Sequence, residues 1–205
     1  RTTYMIPRAV KTLTNRYPKV KTKIFEGTSQ ELFEKVRSGD LDFSIINREC
    51  GDAALEAHEL YRDRLVAVLS PDHPLAKTAV SLPGEKLPWL DLTLFANERF
   101  ILQHPEQSSR MYAEAALKYA GITPVNIFII ENLETASQMA AESLGIAFNM
   151  YSFTKNFAYD KPVRYFIVGD RNRYIRYNVV KRKGRSFPIF TRFFIEALKN
   201  SVTAD

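Results

Sequence analysis

The 205-residue sequence predicts an α/β fold in two lobes. Three observations carry that prediction. Helix and strand patterns alternate as far as Ile46. The same order starts again at Phe100. Hydrophobic residues make up 45% of the chain, enough at this length for a buried core in one domain or two small lobes. Helix, strand, helix, strand in succession implies parallel pairing within a sheet.

The elements follow in order. Ile6, Val10, Leu13 and Tyr17 recur at helical spacing, so a helix is expected over Pro7 to Tyr17, stopped by Pro18. Val20 to Glu26 alternates like a strand. Thr28 with Glu31 is a capping box; Leu32, Phe33 and Val36 form the apolar face behind it, and Gly39 suits the position just past the helix. Leu41 to Ile46 reads as a short buried strand, and Leu65 to Leu69 as another, closed by the turn Ser70 to Pro74. Leu82 to Pro88 is a connector.

The second unit opens with Phe100-Ile101-Leu102, then a loop over Gln103 to Gln107 and a helix from Ser108 or Ser109 to about Tyr119. A turn at Gly121 leads to a strand over Asn126 to Ile130. Asn132 caps a helix through Leu144, ended by Gly145, and Ile146 to Phe148 is a further strand. Tyr174 to Val180 is strand-like, followed by a polar turn over Lys181 to Arg185. Ser186 is expected to cap a last helix whose Phe190, Phe193, Phe194, Ala197 and Leu198 share one apolar face. There is no repeat and no low-complexity tract.

Charge narrows the function classes. Lys and Arg number 29 against 23 Asp and Glu, a formal net charge of +6. Nine of the cations lie between Lys161 and Arg185, opposed only by Asp170; that stretch carries +8 and the rest sums to −2. Tyr165, Phe166, Tyr174 and Tyr177 among these cations resemble a single-strand-binding surface, but a strand with a solvated face is the favoured reading. No uncharged apolar run approaches the ~18 residues a membrane span needs. The chain opens at Arg1 rather than Met and is expected to be a fragment or a processed product.

Enzyme and metal motifs are missing. Cys50 is the single cysteine, so no internal disulfide or multi-cysteine metal site is expected. The eight glycines never approach a dinucleotide fingerprint or a phosphate loop, and no G-x-S-x-G elbow occurs. His58, His73 and His104 are far apart and read as surface or loop residues. Asp40 and Asp42 fit a cap and a strand start better than acid–base catalysis. Neither a catalytic residue, nor a metal, nor a cofactor is expected.

Several segments carry a resemblance. Ile6-Pro7, Tyr17-Pro18-Lys19-Val20, Glu26 through Leu32, Gly39-Asp40-Leu41-Asp42-Phe43, the Asp72-His73-Pro74-Leu75-Ala76 turn and Glu142-Ser143-Leu144-Gly145-Ile146-Ala147 match, in order and spacing, the effector-binding domain of LysR-type transcriptional regulators. The sequence departs from that pattern at Asn149-Met150, where the family usually has a Leu-Pro-like pair. The resemblance implies a type 2 periplasmic-binding-protein fold: two Rossmann-like lobes joined by two crossover segments, with a small-molecule cleft between them. Lobe I is then expected over 1–97 and 169–205 and lobe II over 98–168. The family's winged helix-turn-helix lies N-terminal to this domain and outside this chain, as does most of the first strand.

Ligands of open α/β sheets sit at the carboxyl ends of strands. That rule nominates Arg1, Thr2, Thr3 and Asn47 in lobe I, and Gln103, His104, Ser108, Glu131 and Asn132 in lobe II. Asn132 is also a helix cap, and Ser108 can be one. A pocket lined by Arg1 and helix N-termini favours a small anionic effector, while Glu131 argues against pure anion selection. The resemblance implies a cytoplasmic sensing module, not an enzyme, that forms homodimers or tetramers. The first helix and the helix after Ser108 would pair in the dimer, and DNA would be met only through the N-terminal domain. A solute-binding protein of a transport system is the alternative. Direct nucleic-acid binding through residues 161–185 remains a further hypothesis.

Overall fold

The computed structural model describes residues 2–154 and 157–203. In chain order the elements are α1 (Thr2–Arg16), α2 (Ser29–Ser38), β1 (Ser44–Ile46), β2 (Leu55–Asp63), β3 (Leu65–Leu69), β4 (Phe100–Leu102) and α3 (Ser108–Tyr119). Then follow β5 (Ile127–Ile129), α4 (Leu133–Ala141), β6 (Ile146–Met150), α5 (Tyr151–Thr154), β7 (Arg164–Ile167), β8 (Ile175–Arg182) and α6 (Ile189–Thr203). The chain divides into two compact units, 1–62 with 176–205, and 63–175. The expected boundaries at 97/98 and 168/169 differ from these. The reason is β3, which pairs with β6 and β7 and so brings residues 63–97 into the second unit.

In the first unit the sheet order is β1-β8-β2. β1 runs antiparallel to β8, with Ile45 opposite Val179. The parallel pairing expected here is therefore absent from the described residues. Its missing member is Val20 to Glu26, which forms no strand. A strand exists by virtue of a hydrogen-bonded neighbour, and this segment has no sheet pairing among the described residues; Ile24 is left 50% exposed. α1 starts earlier than expected and runs through Pro7, which deletes one i→i−4 bond near the amino end without stopping the helix. α1 packs on α6, where Tyr17 meets Phe193 edge-on at 5.4 Å.

α2 matches its sequence signature. The Thr28 hydroxyl accepts from the Glu31 amide at 3.3 Å, and the Thr28 amide donates to Glu31 Oε2 at 2.7 Å. Gly39 closes the helix at φ 93°, a left-handed conformation, and the Arg182 guanidinium lies where a Cβ would project. β8 extends through Arg182, into the stretch expected to turn. α6 begins at Ile189, not after a Ser186 cap: Pro188 holds its predecessor extended, and its carbonyl accepts from the Thr191 and Arg192 amides, each at 3.1 Å.

The second unit has five strands in the order β5-β4-β6-β3-β7. β4 runs parallel to β5 and β6, as the strand–helix–strand order requires; β3 is antiparallel to β6 and β7. Every residue of β3, β4 and β6 is buried, as expected for strands covered on both faces. On one face Val68, Ile101 and Ala147 pack against Ala136 and Ala140 of α4. On the other, Phe100 and Phe148 stack at 6.0 Å, and α3 buries Ala113, Ala116 and Leu117.

Candidate functional site

Within the second unit, the parallel strands β4, β5 and β6 end on one edge, and α3 and α4 start there. The loops on this edge are tied together by Gln107. Its Oε1 accepts from the His104 amide at 3.1 Å, and its Nε2 donates to the Glu131 carbonyl at 3.2 Å. Gln103, His104, Glu131, Asn132 and Ser108, the first residue of α3, thus belong to one edge. Gln107 itself was read only as part of the loop.

These residues differ in what they can offer a ligand. Asn132 Oδ1 caps α4 by accepting from the Glu134 and Thr135 amides at 2.8 and 3.0 Å. His104 and Glu131 are exposed. α3 begins without a side-chain cap, so its first amides stay available at the positive end of the helix dipole. Gln103 stands apart. It is fully buried, and neither Oε1 nor Nε2 has a hydrogen-bond partner among the described residues. Leaving such groups unpaired costs about 1–3 kcal/mol each. Its backbone carbonyl is occupied, accepting from Arg110 Nη1 at 3.0 Å.

Further polar residues, not nominated from sequence, are buried in the same unit, at the carboxyl end of β6 and in α4. β4 and β6 pair in parallel as far as Ile101 opposite Ala147, two residues before Gln103 and Asn149. Asn149 and Ser137 are fully buried, and Asn149 Nδ2 donates to Ser137 Oγ at 3.3 Å. Asn149 Oδ1 accepts from the Met150 amide at 2.8 Å. Desolvation raises the phenol pKa of both Tyr165 and Tyr159, so both hydroxyls stay neutral. The signal was present in the sequence as a polar residue where the resembling family has Leu. At the amino end of β3, on the same edge, Asp63 accepts from Ser152 Oγ at 2.6 Å and from the Arg64 amide at 2.8 Å.

The first unit supplies less. Asn47 follows β1 and is buried. Thr2 and Thr3 were expected in a loop ahead of the first helix; they are its first two residues, and their side chains lie outside the described part. Arg1 lies outside the described residues altogether. This unit holds a largely apolar cavity of about 400 Å³, lined by Met5, Leu13, Leu32, Phe43, Phe194 and the 20–27 segment.

Several cations of the basic stretch are held by carboxylates or aromatic rings. Lys161 pairs with Glu142, Lys181 with Glu56, and Arg185 with Asp42 at 2.9 Å. Arg171 sits 3.9 Å over the Trp89 ring. His73 accepts from the Leu75 amide as a cap, and His58 lies 3.8 Å from Glu56. Among the described residues no three His, Cys, Asp or Glu are placed to hold a metal ion.

The LysR substrate binding domain matches residues 2–203. The chain belongs to this family. The uncharacterized HTH-type transcriptional regulator YybE of Bacillus subtilis (strain 168) is 27% identical over 145 residues, 71% of this chain and 47% of that protein. CatR, an HTH-type transcriptional regulator of Pseudomonas putida, is 28% identical over 170 residues, 82% of this chain and 54% of CatR. The chain spans about half the length of these relatives. The structure of the BenM effector binding domain with its effector benzoate is similar at a TM-score of 0.77 and 16% identity, covering 96% of this chain and 85% of that one. The effector binding domain of QuiR in complex with shikimate gives 0.71 and 16%, covering 97% and 90%. The fold is thus that of LysR effector-binding domains, the type 2 periplasmic-binding-protein fold expected from the sequence.

Proposed function

We propose that this chain is the effector-sensing part of a LysR-type transcriptional regulator, and that the carboxyl edge of β4, β5 and β6 in the second unit contacts the effector. The observation that carries the site is Gln103, a buried amide with two unmet hydrogen-bonding atoms where parallel strands end. Family membership and the BenM and QuiR similarities support a small organic ligand. The uncapped start of α3 suits an acceptor or anionic group on that ligand. Ser108 belongs with Gln103 in this reading, whereas Asn132 serves α4.

Effector binding would bias the equilibrium between conformations and so alter how DNA-binding segments outside these 205 residues are presented. The chain acts in the cytoplasm and without catalysis. It forms homodimers through α1 and α3; Tyr119 on α3, 65% exposed, supports an uncovered surface there. Among the described residues no helix is long and apolar enough to cross a membrane.

A thermal-shift screen of small metabolites on the 205-residue chain tests the site, because a ligand of the native state raises its melting temperature by mass action. A hit should lose its shift in Gln103→Met. A hit that shifts Gln103→Met as much as the unaltered chain would remove Gln103 from the site.

A further inference from the structure

Gln103 constrains the chemistry of whatever meets it. A primary amide carries a donor and an acceptor side by side. Both are buried and unpartnered among the described residues, and the point holds whichever way the amide is turned. A carboxylate would satisfy the NH₂ but set a second anionic oxygen against the carbonyl. An ammonium would satisfy the carbonyl but face the NH₂. An uncharged group that offers both a donor and an acceptor, such as a carboxamide, a lactam or a hydroxyl, fills both.

The surroundings favour the same answer. The other fully buried amide of this sheet, Asn149, is already partnered by Ser137 and Met150, unlike Gln103. Arg110 of α3, which reaches the Gln103 backbone carbonyl with Nη1, donates from Nε to Glu114 at 2.7 Å. Asp63 places the one buried carboxylate of the described residues on this edge. A ligand carboxylate buried against this amide would meet the partial positive charge at the start of α3 and an Arg110 already paired with Glu114, and a buried charge without a full partner is disfavoured.

We infer that the effector group seated on Gln103 is an uncharged donor–acceptor group, a carboxamide, lactam or hydroxyl, not a carboxylate or an ammonium. The inference rests on the proposed site, and it leaves the remainder of the effector free to carry charge.

Side-chain amide resonances of the ¹⁵N-labelled 205-residue chain test it. The Gln103 NH₂ pair is assigned by its loss in Gln103→Met, a volume-conserving change that keeps the fold. Acetamide and 2-pyrrolidone are titrated against acetate, and benzamide and benzyl alcohol against benzoate, at neutral pH. The neutral probes should move the Gln103 resonances, with binding at least about tenfold tighter than that of the matched carboxylates. Carboxylates that move the pair as strongly as amides overturn the ligand class while leaving Gln103 in the site. Probes that raise the melting temperature without moving the pair overturn the site itself. Movement by no probe up to its solubility limit overturns the inference, and the amide is then a buried group that costs stability only.

Discussion

The two units share a sequence grammar and differ in how far it is realised. In the second unit, apolar runs become β3, β4 and β6, buried throughout, with parallel pairs among them. In the first, the same alternation yields three strands, an antiparallel pairing at β1 and an extended segment, 20–28, with no sheet role. A period of two in a sequence marks a segment able to be a strand. Whether it is one depends on a neighbouring backbone that the segment itself does not encode. A cavity lies against the unpaired segment, and a polar orphan sits at the edge of the completed sheet.

Core deletions should break the symmetry most. Phe148→Ala removes a fully buried ring from the stack with Phe100 and should cost about 3–5 kcal/mol, measured by urea unfolding. Ile24→Ala in the unpaired segment should stay within about 0.5 kcal/mol. Equal losses at the two positions would mean that 20–28 is packed as tightly as β6. A smaller effect belongs to the ion pair of Arg64 with Glu85. Arg64 also donates to the Arg171 and Arg173 carbonyls at 2.7 and 3.0 Å, and its guanidinium lies 3.7 Å from the Tyr174 ring centroid. Glu85→Gln should destabilise by about 2 kcal/mol, below the usual cost of breaking a buried pair because Glu85 keeps some water.

Gln103→Met should act in the opposite direction. Removing two unpaired polar atoms from a full burial site should stabilise the ligand-free chain by roughly 1 kcal/mol while abolishing the ligand-dependent shift. A stabilised but deaf protein is the signature of a binding group rather than a core residue. Lost stability would instead mean that the amide has a structural partner.

Local signals were legible in the sequence where a few neighbouring residues decide the outcome. The Thr28–Glu31 box, Gly39, the Asn132 cap and the α3 start at Ser108 all formed as read. α4 closes earlier than read, at Ala141 with Glu142 at its C-cap, so Gly145 does not end the helix; it lies in the link to β6, where a Cβ would come 2.7 Å from the Arg99 carbonyl oxygen. Long-range choices were not legible. β2 was missed because Glu56, His58, Glu59 and Arg62 mask its alternation, and only pairing beside β8 makes it a strand. The compact units divide elsewhere than the expected lobes, because nothing in Leu65 to Leu69 says which sheet will take it. For the site, strand ends named Gln103 and its loop, but Asn149 and Ser137 come from a strand and a helix that only tertiary packing brings into hydrogen-bond contact.

The smallest effect sharpens the contrast at its most local level. Thr28→Ala removes both the hydroxyl that caps α2 and one of the groups that hold the Glu31 carboxylate, and should cost about 1 kcal/mol. The Thr28 backbone amide, and then its hydroxyl, lower the Glu31 pKa from its ordinary value of 4.5. A carboxylate with a lowered folded-state pKa adds stability that is present above the unfolded value and fades as pH falls through the folded one. Urea unfolding at a series of pH values should therefore show the unaltered chain losing this contribution below about pH 4.5, with a shallower loss in Thr28→Ala. Glu31→Gln should flatten it further, because it removes the titrating group while leaving the Thr28 hydroxyl to cap the helix. Parallel pH profiles for all three proteins would show that the capping box carries no charge linkage, and that α2 is held by its buried face at Val36 alone.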